Sequence, residues 1–163
     1  VVAQNVFFGI SAFVMAVGAV RVVTTKNVVH AALWLMVVLA GVAANFILLA
    51  AEFAAVVQVL VYIGAIVVLF LFGIMLTRAP IGREVGLDNH QRVPSLLVGL
   101  LVFGLLASVL AKQWGTQHVH PGSIGRTADV ANSIFTQYVV PFEAVSVVLL
   151  AALVGAVVIA RRD

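Results

Sequence analysis

Val61–Leu76, VYIGAIVVLFLFGIML, is almost pure hydrocarbon apart from one phenol and two glycines. It lies inside a longer apolar run near 54–77, about 24 residues, which at 1.5 Å per residue is long enough to cross a hydrocarbon core of about 30 Å. Lipid offers the backbone no hydrogen-bond partners, so such a run must be a helix or part of a closed barrel, and continuous apolar character without two-residue alternation excludes the barrel. The same reading extends outward to the whole chain. Four further runs, near 4–22, 28–51, 95–113 and 142–160, have comparable length and composition, which predicts an all-α integral membrane protein with five spans in a single membrane domain, 1–163.

Composition agrees. The 163 residues are 64% hydrophobic and 9% charged, against roughly 45–50% apolar and about 25% charged in soluble domains. The sequence starts at Val1 rather than Met, so residues before it are expected, and nothing resembles a cleavable signal segment; the first apolar run reads as a true span. With no cysteine, the chain offers no disulfide, thiolate zinc site, cysteine-held iron–sulfur cluster or cysteine nucleophile. The net charge of +3 does not indicate nucleic acid, because the basic residues stand singly at the ends of apolar runs instead of along one face.

That placement reports topology. Arg21, Lys26, Arg78, Arg83, Arg92, Arg161 and Arg162 fall on one side and Lys112 and Arg126 on the other. By the positive-inside rule the N-terminus is expected outside, with the 23–27 turn, the 78–94 loop and the C-terminus in the cytoplasm. The outer linker, 114–141, is expected to carry a short interfacial helix capped by Thr127, with Asp129 in its first turn. Ala131, Ile134, Phe135 and Tyr138 would form its apolar face.

Polar groups inside spans are costly and so are the first candidates for function. Gln58 and Tyr62 are four residues apart and share one face of a regular helix, which Ala65 continues. A packing role for Tyr62, its hydroxyl meeting a neighbouring helix or water, is the simpler account. Gly64 permits either a close helix approach or a weak point where the helix bulges into a π turn. Glu52 in the outer turn and Glu143 after Pro141-Phe142 are candidate end-stations of a proton route. The simpler readings are a solvated Glu52 and a Glu143 placed in a first turn for its helix dipole. His30 follows Asn27, a candidate N-cap. His118 and His120 lack the companions a metal site needs, and no triad or phosphate loop appears.

Three blocks together carry a resemblance: Arg21–Ala32 (RVVTTKNVVHAA), Gln58–Phe72 (QVLVYIGAIVVLFLF), and Ser133-Ile134-Phe135 through Tyr138 to Phe142-Glu143. In them the chain resembles the NuoJ-type membrane subunit of respiratory complex I, the proton-pumping NADH:quinone oxidoreductase. It departs at Val28, where the family often has proline, and at Gln58, where some members carry glutamate. The resemblance implies a cofactor-free subunit of the membrane arm in the bacterial plasma membrane. Its neighbours would be the quinone-site subunit and the small subunits beside it, while NADH, FMN, iron–sulfur clusters and quinone would be handled by other chains. It also implies that the third span switches between π-bulged and regular forms around Tyr62, Gly64 and Ala65, beside the proton-conducting axis; the residues' own candidates for that route are Gln58, Glu52 and Glu143, and the departure at Gln58 counts against a protonatable role there. A static spacer of the complex and a small stand-alone transporter are the rival readings. The second is disfavoured because five spans do not divide into related halves.

Overall fold

The computed structural model describes residues 2–77, 92–115 and 126–161; the expected 78–94 loop, with Arg78 and Arg83, and the His118/His120 pair fall largely or wholly outside them. The described chain is helical throughout: α1 (Val2–Thr24), α2 (Val28–Leu48), α3 (Glu52–Leu76), α4 (Arg92–Trp114), α5 (Thr127–Thr136) and α6 (Val139–Ala160). All but the short α5 contain stretches long and apolar enough to cross a membrane.

Local signals explain several boundaries. Asn27 caps α2 as expected, its Oδ1 accepting from the Val29 amide at 2.9 Å and the His30 amide at 3.4 Å. At the other end of α2, the Ala50 amide donates to Ile47 O and the Ala51 amide to Phe46 O, both near 3 Å, the paired bonds of a Schellman cap. The residue at the left-handed position is Ala50, with φ of 56°, where glycine would relieve the clash of Cβ with the following carbonyl.

Two sequence expectations about caps are corrected. Thr127 is the first helical residue of α5, and Arg126 precedes it as the cap without a side-chain bond. Helix α6 starts at Val139, so Pro141 is its third residue and Glu143 lies beyond the first turn. A proline there removes no helical bond, because the first four amides of a helix have no internal acceptor. Glu52 opens α3 instead, so the carboxylate favoured by a helix N-terminus is Glu52 and not Glu143.

Packing is concentrated in α1, α2 and α3, with α2 between the other two. Small residues allow the approach of α1 to α2. Gly18, Ala32 and Ala43 are buried, a Cβ on Gly18 would lie 2.7 Å from Val38 Cγ2, and one on Gly41 would overlap Met15. In lipid, where apolar area gives no drive for association, such close backbone contact supplies the attraction. Polar groups add to it. The Ser11 hydroxyl donates to Gly41 O at 3.3 Å and the Asn45 amide points at Met15 Sδ at 3.7 Å, while Asn45 Oδ1 is buried without a partner among the described residues. Helix α5 touches the start of α3 and α6, with Phe135 and Phe142 edge to face at 5.1 Å. Among the described residues, α4 contacts no other helix and α6 contacts only α5.

Candidate functional site

Within α3, Glu52–Val57 is α-helical, Gln58–Val67 is π-helical, and Val68–Leu76 is α-helical again. A ten-residue π segment is long for a feature that mostly occurs as a single bulged turn. Its register is visible in what packs on α2. Ala55, Gln58, Val67 and Ile74 are buried, and Ile63 is the half-buried residue between Gln58 and Val67. From Gln58 the inward face therefore advances by five residues to Ile63, the i→i+5 step of a π turn, where a regular helix would have turned Tyr62 inward.

This corrects the face expected from spacing. Gln58 is 6% exposed and Tyr62 47% exposed; Ala65 is exposed too. Gln58 donates from Nε2 to Leu39 O on α2 at 3.5 Å, which ties the first π residue to the neighbouring helix. The Tyr62 hydroxyl has no hydrogen-bond partner among the described residues, and the residue is half exposed. Gly64 is exposed as well. A Cβ there would meet one atom, Val59 O, at 3.3 Å, which is the carbonyl five residues back. Among the described residues no other helix comes within 4 Å of that Cβ, so close packing among these helices does not account for the glycine.

The carboxylates are not gathered at this segment. Glu52 and Glu143 are both exposed, and α6, which carries Glu143, makes no contact with α3. Among the described residues no three of His, Asp and Glu come together as a metal site would require. Sequence reasoning missed Ser11, Gly18, Gly41 and Asn45. The available signal was polar or small residues recurring in otherwise bulky spans.

The π segment lies inside an apolar span, with one polar residue tied inward and a phenol turned outward. The comparisons with known proteins bear on where such a chain works. Residues 18–159 match the family model described as NADH-ubiquinone/plastoquinone oxidoreductase chain 6. The chain is 40% identical to F(420)H(2) dehydrogenase subunit J of Methanosarcina mazei, covering 98% of this chain and 92% of that one. It is 39% identical to NAD(P)H-quinone oxidoreductase chain 6 of a Synechocystis strain, covering 98% and 82%. With NADH-quinone oxidoreductase subunit J of Rickettsia bellii it shares 26% over 96% of this chain and 80% of that one. The five apolar helices and this family-wide match establish that the chain belongs to the NADH-quinone oxidoreductase chain 6/J family, the multi-pass membrane subunits of that oxidoreductase complex.

Proposed function

We propose that the chain couples quinone reduction, carried out by other subunits, to proton translocation by changing the register of α3. The observation that carries this reading is the π segment Gln58–Val67. Converting it to a regular helix would exchange Ile63 for Tyr62 on the face toward α2, and so would change what the outward face offers to water and to neighbouring subunits. Gln58, bonded to Leu39 O, is the fixed end of this motion. Tyr62, Gly64 and Ala65 are the moving part. Glu52 and Glu143 act as rim carboxylates, completed by groups on other subunits.

In this reading the chain holds no cofactor. The relatives' names support it, because one is an F(420)H(2) dehydrogenase subunit and another an NAD(P)H-quinone oxidoreductase subunit. A subunit shared by complexes with different electron donors is not where the donor binds. The protein sits in the bacterial plasma membrane with its N-terminus outside and its C-terminus in the cytoplasm, beside the quinone-site subunit and the small subunits next to it.

Purification of a tagged chain under mild detergent tests the assignment: NADH-driven quinone reduction should co-purify, and a stable homo-oligomer with transport of its own would overturn it. The coupling role is tested separately by Gly64→Leu in the assembled complex. A lowered proton-to-electron ratio supports the switch, and a normal ratio at normal turnover makes the chain a static spacer.

A further inference from the structure

Helix α1 bears a groove that the proposed coupling does not use. It has a volume of about 450 Å³ and is lined by Phe13, Ala16, Val17, Val20, Arg21 and Thr24. These positions follow i, i+3, i+4, i+7, i+8 and i+11, a single stripe along the helix. From Phe13 to Thr24 the stripe is roughly 16 Å long at 1.5 Å per residue, close to half of a hydrocarbon core about 30 Å thick. Its floor is hydrocarbon, and its polar residues are both at one end, in the last turns of α1.

The cation at that end is held in place. The Arg21 guanidinium lies over the Trp34 ring, 6.0 Å from its centroid, a cation–π contact that orients the charge without neutralising it. Arg21 has no carboxylate partner among the described residues. The nearby hydroxyls are turned to their own helix, Thr24 donating to Val20 O and Thr25 to Arg21 O. Arg21 is therefore a positioned charge with no carboxylate beside it among the described residues, at the end of an apolar stripe about as long as one leaflet is thick.

We propose that this groove binds an anionic phospholipid of the leaflet on the Arg21 side, one acyl chain lying along Phe13, Ala16, Val17 and Val20 and its phosphate paired with Arg21. A protein helix would fill the stripe but would need to bring a carboxylate to Arg21. A phospholipid supplies the anion and a chain of matching length together. A basic residue at the membrane surface enriches anionic lipid by roughly fivefold.

The test uses the intact complex with p-benzoylphenylalanine in place of Val17, irradiated in its native membrane and followed by mass analysis of this subunit. The expected product is a phospholipid adduct whose ratio of anionic to neutral lipid exceeds that of the surrounding membrane by roughly fivefold. Arg21→Gln should bring that ratio down to the bulk value, while Arg21→Lys keeps most of it. An adduct with another protein subunit, an adduct of bulk lipid composition, or an enrichment unaffected by Arg21→Gln would each overturn the proposal. Should Arg21→Gln fail to assemble, the Arg21-containing complex is reconstituted in phosphatidylcholine vesicles containing a minor fraction of phosphatidylglycerol. There, preferential capture of phosphatidylglycerol supports the site and capture in proportion to the mixture rejects it.

Discussion

Two kinds of glycine in this molecule do opposite work. Gly18 and Gly41 lie where α1 and α2 cross, and a side chain at either would run into Val38 or Met15. Gly64 lies on an exposed face of α3, and an added Cβ would meet nothing but the carbonyl five residues back in its own helix, at 3.3 Å. The first pair fixes the distance between two helices. In the proposed coupling, the second bears on the register of one helix. Glycine in a membrane span thus cannot be read from its residue type; what a Cβ would touch separates packing from conformational freedom.

The comparison is broken most forcefully at the crossing. Gly41→Leu should destabilise the α1–α2 contact by at least about 1–3 kcal/mol, seen as loss of the subunit from the purified complex, and Met15→Ala should restore part of it. Gly64→Leu should do the reverse, leaving subunit content intact while lowering proton translocation per electron. If both variants lose the subunit equally, the distinction between the two glycines fails.

Smaller effects sharpen it. Ala50→Gly, at the turn joining the packed pair to α3, relieves a left-handed alanine and should raise thermal stability of the subunit by about 1 kcal/mol. Gln58→Leu removes the amide bond to Leu39 O, a loss of about 0.6 kcal/mol by membrane-protein averages. It should loosen the fixed end of the π segment, measurable as faster backbone hydrogen exchange from Gln58 to Ile63. Tyr62→Phe deletes a hydroxyl with no partner in this chain, so stability should stay within about 0.5 kcal/mol. A change in proton-to-electron ratio in that variant would place the phenol on the proton route.

Much of the architecture was legible in the residues. Apolar run length located the five spans, because the thickness of the bilayer sets that length directly, and Asn27 was readable as a cap because its side chain can reach the next amides. The register of α3 was not legible. Four-residue spacing put Gln58, Tyr62 and Ala65 on one face only by assuming a regular helix, and nothing in the side chains of Gln58–Val67 distinguishes i→i+4 from i→i+5 bonding. The start of α6 differs for a related reason: Pro141 marks a first turn but not which of its positions it occupies, so the expected start at 142 put Glu143 three residues too near the helix start. For the site, Tyr62, Gly64 and Ala65 stood out through the family resemblance more than through chemistry. Gly18, Gly41 and Asn45 stand out in bulky spans by residue type, but which helix each one meets was settled only when α1 and α2 were brought together.

The claim at the centre is that α3 has two registers during turnover. The most direct measurement is a structure of the complex taken while it reduces quinone, sorted by the residue that follows Gln58 on the face toward α2. The account predicts two populations, one with Ile63 inward as here and one with a regular helix and Tyr62 inward. A single population with Ile63 inward under turnover would contradict it.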